Sequence, residues 1–465
     1  MDICYNNINL PQNQKEKEYF NINSFFNEMF IYLKSKNYEE VKFSLLLLKD
    51  FFSDEKKITL NEHNIIDNIF ECMNQYINDK FILYQGLSVL INYIYHTDNI
   101  ENFLVSNSFL QLYEFILNLN DIELFFLILL LLFNISISDN NEINYIILTS
   151  NLLNQILNLF NQKELTYHLD EENSIYYDIV YQGFNLFLNL MKVNNENVQS
   201  SDINQIKKEI IKIVIKFINT NIENLYFLIL NNITIYYNYV KDSSNLISIY
   251  LIETIINQKK FKSNSNLLIT NRVIGNYLSN NDITDLSLID LIINFEISIL
   301  LKLNTIEAKK DVFWSIGNLI CNSNLISDLL IEKNNFIELL IKNLKEDNDK
   351  SELKEILITL GNLICNIKFD NFIILSKTGI FDELICSLIK FEKEEDLLPF
   401  IFQNISFFIE KGNLVKNFTN NNNSILNDFN AKGGKDFLIK YQFCKSELLR
   451  NVVEKMLNNF YHNIK

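Results

Sequence analysis

Glycine and proline are scarce in this chain, which has 9 Gly and 2 Pro among 465 residues. Tight hairpins rely on these residues for their backbone geometry, so a fold built from many hairpins is disfavoured. Long helices joined by short polar segments need far fewer of them. Because 48% of the residues are apolar, the chain can still bury a large core or form an extended array. The composition therefore favours helices.

Spacings typical of metal sites and catalytic sites are also missing. The six cysteines include no Cys-x-x-Cys pair, and the four histidines show no His-Glu-x-x-His spacing. No Gly-rich phosphate loop and no Ser/His/Asp set stands out, so we expect neither an enzyme nor a cofactor. Unpaired cysteines in an apolar chain fit a reducing compartment such as the cytosol or the nucleus.

Long apolar runs are absent as well. The most apolar run, LFFLILLLLF at 124–133, is ten residues long, whereas a membrane span needs about 20 residues. We interpret this run as a buried helix and expect no membrane span. The formal charge of −16 disfavours nucleic acid, whose phosphates would be repelled, and suits a basic partner.

What the chain does contain is a repeat. The six residues GNLICN occur at 317–322 and again at 361–366, and related segments place a polar residue at the same point. Successive positions are 42–44 residues apart, with one longer step of 55 residues. We call them the ladder positions: Asp50, Asn92, Asn134, Asn189, Asn232, Asn276, Asn318, Asn362 and Asn404, with a tenth unit that ends at Asn458.

This period, together with apolar residues at every third or fourth place, is typical of armadillo and HEAT repeats. It predicts an all-α, right-handed superhelical armadillo-repeat solenoid of about ten repeats. The solenoid would span residues 25–465 after a tail at 1–24, with loop insertions near 161–173 and 417–432. The last helix of each unit would line a concave groove with one ladder amide, and the glycine before it would permit close helix packing.

The chemistry of an asparagine amide suits such a groove. An amide oxygen accepts hydrogen bonds and its nitrogen donates two, so a row of amides can hold the backbone of an extended peptide. Trp314 lies four residues before Asn318, hence on the same helix face. An indole there can stack on a lysine or arginine and attract its charge. From composition alone, a single tryptophan is equally well explained as a core residue.

Residues 309–326, KKDVFWSIGNLICNSNLI, resemble the seventh repeat of the importin α (karyopherin α) family. The segment RVIGN at 272–276 and the Gly-Gly-x-Asp start of the last unit at 433 are also similar, and the resemblance covers about residues 35–465. It implies a nuclear import adaptor whose groove binds basic nuclear localisation signal peptides. The implied minor peptide-binding site consists of Arg272, Asn276, Asp282, Trp314, Asn318, Glu355 and Asn362.

The family's main peptide-binding site is degenerate in this chain. Its three tryptophan positions hold Ser88, Leu130 and Asn185. The residues that remain of this site would be Asn92, Asn134, Asp139 and Asn189. The resemblance also implies basic cargo proteins, importin β and an export receptor as partners, and residence in the cytoplasm and nucleus. The tail at 1–24 lacks the family's basic importin β-binding segment.

Two functions therefore remain open at the level of the sequence. One is an import adaptor that holds basic peptides in its groove. The other is an armadillo-repeat scaffold that binds other protein partners without import activity. The surroundings of Trp314 distinguish them, because an adaptor should place acids beside the indole, whereas a scaffold can bury it or surround it with apolar residues.

Overall fold

The computed structural model describes residues 22–53, 63–94, 104–137, 140–162, 165, 169, 174–193, 201–240, 247–258, 263–322, 324–346, 349–419 and 425–461. Within these ranges there are 24 α-helices and no strand. The prediction of an all-α fold is confirmed. The chain divides into two compact units, residues 1–235 and residues 236–465.

The first unit contains the following helices: α1 (Ile22–Leu33), α2 (Tyr38–Ser53), α3 (His63–Gln75), α4 (Lys80–Ile94), α5 (Asn107–Asn118), α6 (Ile122–Ser136), α7 (Asn141–Thr149), α8 (Asn151–Phe160), α9 (Ile175–Met191), α10 (Ser201–Lys216) and most of α11 (Glu223–Tyr239).

The second unit contains α12 (Ile249–Asn257), α13 (Asn264–Asn280), α14 (Leu286–Lys302), α15 (Ile306–Asn322), α16 (Asn324–Glu332), α17 (Asn334–Lys345), α18 (Lys350–Asn366), α19 (Phe369–Ser376), α20 (Ile380–Lys390), α21 (Leu398–Thr419), α22 (Ile425–Ala431), α23 (Gly434–Tyr441) and α24 (Glu447–Tyr461).

Helices that carry the ladder positions pack side by side within each unit. In the first unit α2 contacts α4, α4 contacts α6, and α6 contacts α9. In the second unit the order is α13, α15, α18, α21 and α24. The intervening helices form another row, in which α14 contacts α17 and α17 contacts α20. Each unit therefore has two layers of helices, and the apolar residues of both layers meet between them.

The apolar run at 124–133 forms most of α6. Asp121 caps this helix, because its carboxylate accepts hydrogen bonds from the backbone N–H groups of Glu123 and Leu124 at 3.1 and 3.2 Å. Leu124, Ile128 and Leu132 are at most 1% exposed, so the run is a buried helix as predicted. Throughout the described ranges, no helix combines the length and the apolar character that crossing a membrane requires.

Two glycines begin helices in a conformation that other residues rarely adopt. Gly379, just before α20, has φ of 82°, and Gly433, just before α23, has φ of 79°. Both lie in the left-handed region, which costs glycine little because it has no Cβ. Two of the nine glycines thus lie in turns between helices that need this left-handed conformation.

The predicted tail and the first predicted insertion fall largely outside the described residues. Helix α1 begins at Ile22, within the predicted tail at 1–24, and residues 1–21 are not described. Of the insertion near 161–173, the described residues are 161, 162, 165 and 169.

The second predicted insertion, near 417–432, is not a loop throughout. Helix α21 continues to Thr419, and α22 occupies Ile425–Ala431. Phe429 of α22 is fully buried, and Ile425 packs against the position of Gly412. The abundance of asparagine in this stretch conceals the four-residue spacing of these two apolar side chains, which defines a buried helix face.

Candidate peptide-binding site

The residues of the predicted minor site lie on three neighbouring helices of the second unit and on the segment after the first of them. Arg272 and Asn276 belong to α13, Trp314 and Asn318 to α15, and Glu355 and Asn362 to α18. Because α13 contacts α15 and α15 contacts α18, the repeat brings residues 40 or more positions apart in sequence onto adjacent helices.

The ladder amides make hydrogen bonds that the sequence analysis did not anticipate. Asn318 Nδ2 donates to Ser279 Oγ at 2.7 Å and to the Gly275 carbonyl at 3.5 Å. Asn362 Nδ2 donates to the Gly317 carbonyl at 3.3 Å. Each amide thus joins its helix to the preceding ladder helix.

The same bond recurs at other ladder positions of both units. The donors and acceptors are Asn92 to the Lys49 carbonyl and Ser53 Oγ, Asn189 to Ser136 Oγ, Asn232 to the Phe184 carbonyl, and Asn404 to the Leu357 carbonyl. The ladder amides therefore have a structural use that the sequence analysis did not include, whereas their binding of a peptide stays a prediction. The repeated asparagine contributes to helix stacking, since each helix carbonyl has a second lone pair that this donor can use.

Burial separates the ladder amides into two groups. Asn232 and Asn404 are 0% and 2% exposed, so neither can reach a ligand. Asn318 and Asn362 are partly exposed, and no described residue donates a hydrogen bond to the Oδ1 atom of either. These two oxygens can accept a backbone N–H from a peptide while the amide nitrogens keep their interhelix bonds.

Trp314 packs against the preceding helix at the place of a glycine. A Cβ atom on Gly275 would lie 2.2 Å from Trp314 Cζ3, so the indole fills the space that this residue leaves empty. Trp314 remains partly exposed. The indole therefore has one part in the contact between α13 and α15 and another part at the surface, where a ligand can stack on it.

An ion pair lies one turn away from the indole. Arg272 Nε is 2.6 Å from Asp311 Oδ2, and the side chains are 46% and 18% exposed. Sequence reasoning missed Asp311, although a signal was present. Asp311 stands seven residues before Asn318, as Glu355 stands seven before Asn362. Arg272, predicted to contact the ligand, is engaged by this carboxylate.

Glu355 is the second carboxylate of the site. Burial raises the pKa of Glu355, the positive charges of Lys310 and Lys354 oppose that rise, and Asp311 adds to it. The site therefore has one acid on α15 and one on α18, and basic side chains of the protein lie near both of them.

Asn276 and Asp282 are the two remaining residues of the predicted minor site. Asn276 is partly exposed, and its carbonyl accepts a hydrogen bond from Asn280 Nδ2 at 2.8 Å. Asp282 is exposed in the segment between α13 and α14, and it has no hydrogen bond or ion pair with any described residue. The structure therefore does not bring Asp282 into contact with the group around Trp314.

The predicted main site lies in the first unit. Asn92, Asn134 and Asn189 occupy α4, α6 and α9, and Asn134 is only 9% exposed. Leu130, at the tryptophan position of α6, is partly exposed. Asp139 falls outside the described residues. The first unit therefore has an aliphatic side chain on α6 at the position that corresponds to Trp314 of α15.

No group of three or more His, Cys, Asp and Glu side chains in the described part of the chain can hold a metal ion. Five of the cysteines are described and carry free thiols: Cys72, Cys321, Cys365, Cys386 and Cys444.

Comparison with known proteins gives the fold. No protein-family model matches this chain, and no curated protein matches it. Solved structures do resemble it. An engineered protein from a structural genomics consortium has a TM-score of 0.70 at 13% identity, over 94% of this chain and 98% of that one.

A second similar chain comes from a structure concerned with a phosphorylation switch that controls the interaction between cadherin and β-catenin. It has a TM-score of 0.63 at 11% identity, over 94% of this chain and 90% of that one. Identities this low describe the fold and not the activity. Together with the 24 helices and the regular ladder, the two structures establish that this chain is an all-α, armadillo-like repeat solenoid.

Proposed function

We propose that this protein is an importin-α-like adaptor that binds basic nuclear localisation signal peptides at the second unit, around Trp314. The observation that carries the proposal is the position of a partly exposed indole beside a ladder amide with an open oxygen, while Glu355 lies on the next helix. An adaptor of this kind works in the cytoplasm and the nucleus and is not an enzyme.

The proposed mode of binding assigns a task to each group. Oδ1 of Asn318 and Oδ1 of Asn362 accept backbone N–H groups of an extended peptide. The exposed part of Trp314 covers the stem of a lysine or arginine, and Glu355 attracts its charge. Backbone recognition by the amides is independent of peptide sequence, whereas the indole and the carboxylate select for a basic side chain.

A second candidate is an armadillo-repeat scaffold for a partner that is not a basic peptide. The specific observation in its favour is that Arg272 already neutralises Asp311 at 2.6 Å. Lys310 and Lys354 likewise lie near Glu355. A groove with nearly balanced charge attracts a lysine-rich peptide less strongly than a groove lined by free acids.

One titration distinguishes these candidates. A labelled lysine-rich peptide and the same peptide with alanine in place of lysine are titrated with the full chain by fluorescence anisotropy. We expect Trp314→Ala to weaken the lysine peptide by about threefold to thirtyfold, since a cation on an indole contributes about 0.5–2 kcal/mol. Leu130→Ala, at the equivalent position of the first unit, should change the affinity by less than about twofold.

The affinity for the lysine peptide should also fall as salt is raised, because exposed charge pairs are screened within about 8 Å at physiological ionic strength. Equal affinity for both peptides, or no loss in Trp314→Ala, rejects the adaptor and favours the scaffold. Recruitment of importin β and of an export receptor is a separate proposal, which a pull-down with each purified receptor tests.

A further inference from the structure

One lysine of this protein is placed over an aromatic ring at a ladder helix. Lys354 Nζ, from α18, lies 5.2 Å from the centroid of the Phe400 ring on α21. Phe400 is four residues before Asn404, just as Trp314 is four residues before Asn318. The ring therefore occupies, one ladder helix after Asn362, the place that the indole occupies in its own repeat.

Lys354 is also close to a carboxylate of the candidate site. Its charge acts on Glu355, the neighbouring residue, together with the charge of Lys310. An ammonium group over an aromatic face and near a carboxylate is in the environment that a lysine of a bound peptide would seek. The protein supplies that ammonium group itself.

The first unit shows the same relationship twice. Lys42 Nζ lies 4.8 Å from the Phe81 ring, and Lys49 Nζ lies 5.7 Å from the Tyr84 ring. In each case, as with Lys354, the lysine comes from one ladder helix and the ring from the next. Covering of a ring by the lysine of the preceding repeat is thus a recurrent feature of this chain.

We propose that the Phe400 ring forms a second cation subsite, and that Lys354 occupies it as an intramolecular competitor of a basic residue of a peptide. The inference rests on the proposed function and adds a binding subsite and a regulatory residue to it. Lys354 is exposed and has a flexible four-carbon stem, so it can swing into solvent without disturbing the core. A peptide lysine or arginine then takes its place over the ring.

While Lys354 covers Phe400, the unmodified protein should bind a basic peptide more weakly than it would if this ring were free. Among the described residues no lysine lies over the indole of Trp314, whereas a cation at Phe400 must displace Lys354 from the ring. Removal of the Lys354 charge should therefore strengthen binding of peptides with two separated basic residues. Peptides with one basic residue should gain little.

The experiment measures the dissociation constant of a lysine-rich peptide for the full chain and five variants, of which Trp314→Ala is one. We expect Lys354→Ala to bind about threefold to tenfold more tightly, because the Phe400 ring is freed for the ligand. Lys354→Arg should behave like the unmodified chain. Phe400→Leu in the Lys354→Ala background should cancel most of the gain. Lys377→Ala removes the same charge from the turn between α19 and α20 and should change the affinity by less than about twofold.

Each outcome decides a separate question. If Trp314→Ala weakens binding but Lys354→Ala behaves like Lys377→Ala, the competitor is rejected and the proposed function stands. A gain in Lys354→Ala that persists with Phe400→Leu rejects the ring as part of the subsite. If the unmodified chain fails to bind while Lys354→Ala binds, the proposed function fails for the unmodified protein and the competitor stands. If neither binds, both proposals are wrong.

Discussion

Gly275 and Trp314 are packed so closely that no side chain fits between them. A Cβ on Gly275 would lie 2.2 Å from Cζ3 and 2.8 Å from Cε3 of the indole. The glycine of the repeated Gly-Asn pair thus serves the packing of the next ladder helix, as the sequence predicted. At Gly317 the neighbour is Thr359 Oγ1 at 3.1 Å, and at Gly361 it is Asn404 Oδ1 at 3.3 Å.

Gly275→Ala should therefore destabilise the second unit and move the indole. Overpacking costs about 1–3 kcal/mol, of which the better helix propensity of alanine offsets up to about 1 kcal/mol. Because Trp314 is the single tryptophan of the chain, the intrinsic fluorescence spectrum reports its surroundings directly. Gly317→Ala is the matched control, since its Cβ meets a looser contact. Equal stability and unchanged fluorescence in both variants would contradict this packing.

The ladder amides should differ in how much they stabilise the fold. Asn404, 2% exposed, donates to the Leu357 and Phe400 carbonyls at 2.9 and 2.7 Å. Truncation to alanine removes both bonds and leaves a buried space, which we expect to cost about 1–3 kcal/mol of the free energy of unfolding. Asn318→Ala removes bonds of a partly exposed amide and should cost about 0.5–1.5 kcal/mol. Urea titrations of both variants measure the difference, and the reverse order would contradict it.

A buried carboxyl group should make stability depend on pH. Glu296 on α14 is 0% exposed, and Ser315 Oγ donates a hydrogen bond to its Oε1. Burial raises the pKa of Glu296 to about 8, and the bond from Ser315 opposes that rise. Between about pH 4.3, the ordinary value for glutamate, and pH 8, the folded chain keeps a proton that the unfolded chain releases. This group should therefore lower stability as pH rises through that window.

Glu296→Gln tests this dependence. The substitution keeps the shape of the side chain and removes its titration. Compared with the unmodified chain, we expect a gain in stability that grows by up to about 1.4 kcal/mol per pH unit across the window. Urea titrations at pH 5, 6, 7 and 8 measure it, with Glu332→Gln, an exposed carboxylate, as the control. A difference that stays constant with pH would show that Glu296 is charged in the folded chain.

Asp328 connects two repeats, and its pKa is lowered where that of Glu296 is raised. Asp328 on α16 accepts hydrogen bonds from Asn371 Nδ2 at 2.7 Å and from the Lys368 backbone at 3.2 Å, and Lys368 Nζ lies 2.9 Å away. Burial acts to raise the pKa of Asp328, but the bonds from Asn371 and Lys368 outweigh it and lower the pKa below its ordinary value.

Asp328→Asn should cost about 1–3 kcal/mol at neutral pH, because a charged acceptor at the start of α19 is lost. The stabilisation by the carboxylate is complete above about pH 4, the ordinary value for aspartate, and disappears as pH falls through the lowered folded value. The difference between the two chains should therefore shrink in acid. Asp370→Asn, at an exposed position in the first turn of α19, is the control and should change stability by less than about 0.5 kcal/mol.

The repeat could be predicted from the sequence because it depends on spacing. Asn318 and Asn362 occupy the same place in successive repeats, and any stack of such repeats puts them on adjacent helices. The face shared by Trp314 and Asn318 follows from helix geometry in the same way. These features need no knowledge of how far apart neighbouring helices are.

The residue that a long side chain contacts could not be predicted from the repeat spacing. Whether Arg272 reaches Asp311, or Lys354 reaches Phe400, depends on interhelix distance and rotamer, which the sequence does not specify. The hydrogen-bond partner of each ladder asparagine could not be predicted either. Its amide suits both a peptide and a neighbouring helix, and the structure shows the second use at most of the ladder positions.

The interhelix bonds of the ladder all have the same direction along the chain. In each of the described bonds the donor amide belongs to the later helix and the acceptor to the earlier one, from Asn92 and Lys49 to Asn404 and Leu357. During synthesis on the ribosome, each ladder helix therefore emerges when its acceptor has already been made. Since repeats contact mainly their neighbours, folding of the solenoid can advance one repeat at a time from the amino terminus. We therefore expect a chain truncated after a ladder helix to contain both partners of every ladder bond before that point.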